Sequence, residues 1–370
     1  MEISNLINQF LESIKQDDRI LIMPHDNPDP DSIASAAALR YIVMQKTGKR
    51  PSIAYGGIIG RAENISMYKE LDIKLHHDSD FHVEDYDRIA LVDCQPEAGN
   101  SPVYNKKITI SLTVDHHPKH KKEPNSDYLY LNDTMGATAS IFTYYFMENQ
   151  IELPKKLATA LFYGIKSETQ NLVREAGKVD KQAFQFLFPL IDNACLSRIE
   201  NPERRIEYYH ILGRAVERSL VYDDEVIVCD LGEVSVPDLI PQIADFILKL
   251  EGMLWSLVYG NVDDLVYVSL RTNNPDKAAH KVIKKIIQKD GTSGGHGMIA
   301  GGRIEGLGKS KTELEAIQLA LKSRFLEALK CKSKRGNRML AEKKPRRKPT
   351  MVAKVDNNNS KQKINTTREK

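Results

Sequence analysis

Along the first third of the chain, short apolar runs rich in β-branched residues alternate with stretches of helical periodicity. Arg19–Met23 (RILIM) reads as a buried strand and Ser32–Gln45 as an Ala-rich helix. Ser52–Tyr55, Arg88–Val92 and Ile108–Val114 read as further strands, and Glu63–Leu71 as a helix. Strands separated by helical patterns predict a parallel sheet with helices on both faces. More helices are predicted at 137–150, 154–166 and 180–192, then a long charged one at 203–219 between two domains. From about residue 222 the pattern restarts. Strands at Glu225–Asp230, Met253–Tyr259 and Leu265–Arg271 accompany helices at Pro237–Leu250 and Asp276–Gln288, a glycine-rich loop from Gly291 to Gly302 and a last helix at Lys311–Leu329. The expected fold class is therefore α/β, with a parallel-sheet domain over residues 1–195, a helical linker over 196–222 and a smaller α/β domain over 223–329. Residues 330–370 have few large apolar side chains and read as a disordered basic tail.

Composition narrows the class. A chain of 370 residues exceeds a single ordinary core, and 41% hydrophobic with 28% charged residues is globular composition, excluding a fibrous protein. No apolar run approaches the roughly 18–20 residues that span a bilayer, and the amphipathic start lacks the basic-then-apolar pattern of a signal peptide. Four scattered cysteines show no paired spacing, which argues against a disulfide framework or a zinc knuckle. A cytoplasmic protein is expected. The net charge of +3 hides an asymmetry: residues 330–370 hold 15 Lys and Arg against three acids, leaving 38 basic and 47 acidic side chains in residues 1–329. An acidic body has no broad basic face for duplex DNA, so it must hold phosphate locally, with metals and a few placed cations.

The chemistry sits at strand ends. The first strand runs into Pro24-His25-Asp26-Asn27-Pro28-Asp29-Pro30-Asp31-Ser32, where two prolines next to the acids stiffen a loop presenting His25, Asp29 and Asp31. A plain alternative is a capped loop, with Asp31 or Ser32 as the helix N-cap and His25 a surface residue. Arg88–Val92 ends in Asp93, and the next strand ends in Asp115-His116-His117. Ligands of open parallel sheets bind outside the carboxyl ends of strands. Three strands delivering imidazoles and carboxylates to one sheet edge point to a divalent metal site, of a kind suited to Mn²⁺, Mg²⁺, Fe²⁺ or Zn²⁺.

In order and spacing, His25-x-x-Pro28-Asp29-x-Asp31, Asp93 and Asp115-His116-His117 resemble the motifs of the DHH phosphoesterases. Gly136-Ala137-Thr138-Ala139-Ser140 resembles the family's small-residue helix start. Gly164-Ile165-Lys166-Ser167-Glu168-Thr169 resembles its fourth motif, with Glu168 where the family usually has Asp. The resemblance implies two metal ions, manganese first and Mg²⁺ as the alternative, bridged by Asp93. His25 and Asp29 would complete one site, and Asp31, His116 and Glu168 the other. It also implies that Asp115 orients an imidazole and that His117 meets the scissile phosphate or the leaving oxygen while an activated water attacks.

In the second half, Ser269-Leu270-Arg271 and Gly294-Gly295-His296-Gly297 resemble the substrate-binding elements of the DHH-associated C-terminal domain. Ser269, Arg271, Gly294, Gly295 and His296 are the expected substrate contacts, Arg271 as a bidentate phosphate partner. The implied enzyme resembles the nanoRNases that also hydrolyse 3′-phosphoadenosine 5′-phosphate, with short RNA or a nucleotide as substrate. A cyclic or linear dinucleotide phosphodiesterase is the runner-up, and a non-hydrolytic nucleotide sensor is the reading from another class. The basic tail is a candidate for nucleic-acid contact, homodimerisation stays open, and no membrane partner is expected.

Overall fold

A computed structural model describes residues 3–80, 82–122, 124–274, 277–305 and 311–340. The first domain holds one six-stranded parallel sheet in the order β3-β2-β1-β4-β5-β6. Its strands are β1 (Ile20–Met23), β2 (Ser52–Tyr55), β3 (His76–His77), β4 (Arg88–Val92), β5 (Ile110–Asp115) and β6 (Ser126–Leu131). Around them run α1 (Ile3–Ser13), α2 (Pro30–Thr47), α3 (Ala62–Glu70), α4 (Thr138–Glu148), α5 (Lys155–Glu168), α6 (Lys178–Leu187) and α7 (Asn193–Glu200). The strands are apolar on both sides because both sides are covered. Ile20, Ile22, Ala90, Val92, Leu112 and Val114 face one core with α1, α2, α4 and α5. Leu21, Met23, Ile89 and Leu91 face the other, against Val83 and Val103. Among the described residues, this second face is covered in part by the 3-10 turn at Val83–Asp85.

Helix α2 lies at the centre of the thicker layer and has almost no polar stripe, since Ala34, Ala36, Ala38, Leu39, Ile42 and Val43 are all buried. It crosses α4 and α5 on small residues. A Cβ added at Gly164 of α5 would meet Ala34 Cβ, Ala139 Cβ and Asp31 Cα at 3.2 Å each. This close crossing brings the starts of α2 and α4 together, and both starts carry site residues.

The second domain is a seven-stranded mixed sheet, β11-β12-β10-β9-β8-β7-β13. Its strands are β7 (Leu220–Tyr222), β8 (Val226–Glu233), β9 (Trp255–Val262), β10 (Leu265–Thr272), β11 (Gly291–His296), β12 (Ile299–Glu305) and β13 (Asn337–Arg338). One face packs on α8 (Ile206–Arg218) and α9 (Leu239–Ile247), the other on α10 (Ala279–Ile287) and α11 (Lys311–Ala328).

Three boundaries differ from the sequence pattern. The glycine-rich stretch is a hairpin, with β11 pairing β12 from Gly291↔Ile304 to His296↔Ile299. Gly295 adopts φ +139, and a Cβ there would strike Ala300; the glycines that suggested a loop allow a tightly packed edge strand. The 196–222 linker divides: α7 buries Cys195, Leu196 and Ile199 in the first core, and α8 buries Ile211 and Ala215 in the second. The chain is also ordered past 330, because β13 pairs Asn337↔Val221 and Arg338↔Leu220 at the sheet edge. Residues 341–370, most of the expected tail, lie outside the described residues. No helix among the described residues is long and apolar enough to cross a membrane.

Gly164→Val adds side-chain volume where three helices already touch. It is expected to cost about 1–3 kcal/mol of stability, read by denaturant unfolding. An unchanged midpoint would contradict the crossing described here.

Candidate metal centre

Strand order reverses between β1 and β4, and an open α/β sheet binds ligands at such a point. His25 follows β1, Asp93 follows β4, and Asp115, His116 and His117 end or follow β5. Asp93 takes φ +60, in the left-handed region. That conformation costs a non-glycine residue roughly 1–2 kcal/mol, and here it turns the carboxylate back over the strand ends. Thr138 Oγ1 donates to Asp93 Oδ1 at 2.8 Å and fixes the turn.

The two oxygens of Asp93 face different donor groups. His25 Nε2 lies 3.7 Å from Oδ2 and also 3.7 Å from Asp29 Oδ1. On the other side, His116 Nε2 is 3.5 Å and His117 Nδ1 3.8 Å from Oδ1. His25, Asp29 and Asp93 thus form one group with the spacing of a metal site, and Asp93, His116 and His117 a second.

Hydrogen bonds on the far sides of the rings fix their orientation. His25 Nδ1 bonds Asp26 O at 2.8 Å and His116 Nδ1 bonds Met135 O at 3.2 Å, so each Nε2 points inward. The His116 Nε2 atom is buried and has no hydrogen-bond partner among the described residues. Burial, together with the neighbouring charge of His117, lowers the His116 pKa to about 4, so the ring is neutral near pH 7. A bare nitrogen lone pair then faces the Asp93 carboxyl oxygen at 3.5 Å, an arrangement that a cation between the two would satisfy. The donor set fits a divalent metal.

The carboxylates among the predicted site residues also have partners of their own within the protein. Asp31, fully buried, accepts Thr138 N and Ala139 N at 2.7 Å each, so it caps the start of α4. Asp29, and neither Asp31 nor Ser32, is the N-cap of α2: it accepts Ser32 N at 3.0 Å. Asp115 Oδ1 accepts His117 Nδ1 at 2.8 Å, and its Oδ2 accepts Gln95 Nε2 at 2.8 Å. Glu168, at the end of α5, lies 3.6 Å from the guanidinium of Arg174.

Electrostatics reflects the crowding. Burial raises the Asp93 carboxyl well above its usual range, and the charges of Asp31, Asp29, Asp115 and Glu168 add to the rise. Asp31 is raised for the same two reasons, burial and then Asp29 and Glu168. Burial works against a charged His25, yet Asp29 outweighs it and lifts the ring to about 9. The same balance, burial against Asp115, leaves His117 raised.

The second domain reaches toward this edge. The β11–β12 turn brings Gly297 near Glu175 Oε1, next in sequence to Arg174. Gly294 has no heavy atom within 4 Å of where a Cβ would stand, so its backbone is open. Ser269 is buried on β10 and its Oγ has no partner among the described residues. Arg271 is buried too: Nε donates to Asp245 Oδ1 at 2.7 Å, while its other bonds go to the Leu270 and Ala300 carbonyls. Burial lowers its pKa, and the positive charges of Arg61 and Arg174 act in the same direction. The His296 side chain lies outside the described residues.

The DHH family N-terminal domain matches residues 19–165, and the DHHA1 domain matches residues 223–325. The chain belongs to the DHH family. An uncharacterized protein of Methanocaldococcus jannaschii is 37% identical over 315 residues, which is 84% of this chain and 64% of that protein. A probable manganese-dependent inorganic pyrophosphatase of Lactiplantibacillus plantarum is 26% identical over 151 residues, 40% of this chain and 47% of that protein. The chain therefore matches less than two thirds of the length of either relative. Among solved structures, an exopolyphosphatase-related protein from Bacteroides fragilis shares the fold, with a TM-score of 0.69 and 14% identity over 88% of this chain and 97% of that one. RecJ from Thermus thermophilus, solved in complex with Mn²⁺, shares it at a TM-score of 0.51 and 15% identity, over 89% of this chain and 55% of that one.

Four residues of this DHH chain's site escaped the sequence reading. Gln95 and Thr138 hold Asp115 and Asp93. Asp180, from α6, accepts Gly136 N and Gly177 N and steadies the approach to α4. Arg174 and its partner Glu168 meet only after folding. Of the four, Gln95 carried a signal: it is a polar residue two positions beyond Asp93.

Glu168 yields a pH test. Burial, and then the charge of Asp29, raises its pKa to about 7. A raised carboxyl favours the fold below the unfolded pKa, and that advantage is lost as pH rises through the folded value. In metal-free protein, Glu168→Gln should therefore raise the melting temperature by about 2–4 °C per kcal/mol at pH 8 and little at pH 5. An equal shift at both pH values, followed by thermal unfolding in chelator, would contradict the assignment.

Proposed function

We propose that this protein is a phosphoesterase that uses two divalent metal ions, manganese first, to hydrolyse short nucleotide substrates: oligoribonucleotides of a few residues and 3′-phosphoadenosine 5′-phosphate. The observation that carries the reading is Asp93, whose two oxygens face two separate donor groups. A carboxylate shared in this way suits two ions roughly 3.5–4 Å apart. His25 and Asp29 would hold one ion. His116, Asp31 and Glu168 would hold the other, since a carboxylate oxygen that accepts one backbone N–H keeps a further lone pair. Ions held there supply Lewis-acid polarisation of phosphoryl oxygens and a nucleophile at neutral pH. Mixed imidazole and carboxylate donors suit manganese, and the relative from Lactiplantibacillus plantarum is named as manganese-dependent.

Side chains of the protein do the rest. Asp115, held in turn by Gln95, keeps the His117 ring oriented and favours its protonated form. His117 is 40% exposed where His116 is 8% exposed, so it is the imidazole that meets substrate. It would balance charge on a phosphoryl oxygen and give a proton to the leaving oxygen. Arg174 from the first domain and Arg271 from the second supply guanidinium charge for a second phosphate. Guanidinium charge from both domains favours a substrate that carries a second phosphate.

The test is hydrolysis of a labelled dinucleotide, a five-residue RNA, 3′-phosphoadenosine 5′-phosphate and a cyclic dinucleotide, first with Mn²⁺ and then with chelator. Manganese-dependent loss of the short RNA or the bisphosphate is expected. Asp93→Ala should fall to background and His117→Ala by roughly 10²–10⁴-fold. Turnover of the cyclic dinucleotide alone would replace the substrate assignment. No turnover with nucleotide binding retained would make the protein a sensor and overturn the hydrolytic reading.

A further inference from the structure

A polar cavity lies between the chain that follows β4 and the residues that lead into β5 and β6. It has a volume of about 410 Å³ and is lined by Glu97, Tyr104, Lys106, Lys107, Lys122 and Asn125, among others. Ligand cavities commonly run from about 300 to 1,000 Å³. Its walls are residues 96–97 and 103–109, from the chain that joins β4 to β5, and Lys122 and Asn125, from the chain that joins β5 to β6. Both walls are tied to the metal centre through Gln95. The Gln95 amide that holds Asp115 also donates to Pro118 O at 3.2 Å, and its oxygen accepts His120 N at 2.7 Å. Two residues on, Glu97 Oε1 accepts Asn125 N at 3.1 Å and joins the walls again. Pro96, at the near end of the cavity, is three residues beyond Asp93, so at most about 11 Å of extended chain separates them. Lys106 and Lys107 lie toward the start of β5, at the end away from the metal centre.

Three features of the lining point to one kind of ligand. The charge is locally inverted: among the described residues the lining carries three lysines, Lys106, Lys107 and Lys122, against one acid, Glu97, in a body where acids outnumber bases. Tyr104 is 43% exposed, an aromatic ring open to the cavity side of the loop. Glu97 Oε2 is buried and has no hydrogen-bond partner among the described residues. Lysines attract phosphate, a tyrosine face stacks on a base, and an unsatisfied carboxylate oxygen accepts from a base or a ribose hydroxyl. A bare polyphosphate chain would use the lysines and leave Tyr104 and Glu97 without a role.

We propose that this cavity binds nucleotides of a single-stranded oligonucleotide lying beyond the phosphodiester held at the metal centre, so that the enzyme grips substrates longer than a dinucleotide. The direction of the strand from site to cavity rests on the phosphoesterase reading, whereas binding in the cavity does not require turnover. The measurement is the affinity of the full-length protein, in chelator, for a labelled eight-residue single-stranded RNA and a labelled dinucleotide over a series of salt concentrations. The tail is unchanged in every variant, so its contribution cancels. Combining Lys106→Gln, Lys107→Gln and Lys122→Gln should weaken the eight-residue RNA about tenfold or more. It should also lower the slope of log affinity against log salt by about 2, near 0.7 per lost phosphate contact. Tyr104→Ala should weaken the same RNA roughly five- to a hundredfold through lost stacking. The proposal is overturned by an unchanged affinity and slope, or by an equal loss for the dinucleotide. It is overturned too if a free mononucleotide occupies the cavity while RNA length has no effect. A protein that hydrolyses none of the phosphoesters would fail the catalytic reading and leave each of these binding outcomes readable.

Discussion

Five carboxylates, Asp29, Asp31, Asp93, Asp115 and Glu168, are gathered at one end of a parallel sheet, and most of the site's architecture answers the repulsion among them. Each is held by a different device. The start of α4 donates two backbone N–H groups to Asp31, where the helix dipole favours negative charge. Asp29 caps α2 and faces His25. Gln95 and His117 share Asp115, and Arg174 stands against Glu168. Asp93 receives one hydroxyl, from Thr138, and faces His25 and His116 across gaps too long for hydrogen bonds. It is the carboxylate with the least protein compensation and the most acidic neighbours, and so the place where bound cations matter most.

The second domain is joined to the first by polar contacts near the same edge. Arg204, just before α8, donates to Glu63 of α3 and to Gln242 of α9. Arg61 of the first domain lies 4.0 Å from Asp245, which also holds Arg271. Inter-domain contacts of this polar kind allow relative motion more readily than an apolar seam does. Arg271 was announced by the Ser269-Leu270-Arg271 motif, whereas Arg61 and Arg174 come from separate elements that approach it only in the folded chain, and no local motif announced them.

Strand periodicity and strand-end chemistry made the first domain legible. RILIM and RIALV are apolar on both faces because both faces are buried, and each run stops where its polar site residues begin. Those runs placed His25, Asp93, Asp115, His116 and His117 at one edge before any tertiary contact was known. The strand Ser126–Leu131 (SDYLYL) was missed because half-exposed tyrosines blur its pattern. The hairpin at Gly291–Glu305 was missed because its glycines imitate a loop, although they serve close packing against neighbouring strands. The α4 cap on Asp31 and the Arg174–Glu168 pair depend on residues far apart in sequence, joined by the helix crossing at Gly164.

The central claim is that Asp93 joins two cation sites. Equilibrium dialysis of the full-length protein against Mn²⁺, with bound metal counted per chain, tests it most directly when wild type is compared with Asp93→Ala and His25→Ala. The account predicts two ions for wild type, one for His25→Ala, and loss of both at the same free metal concentration for Asp93→Ala. A single ion in wild type, or two ions retained after Asp93→Ala, would contradict it.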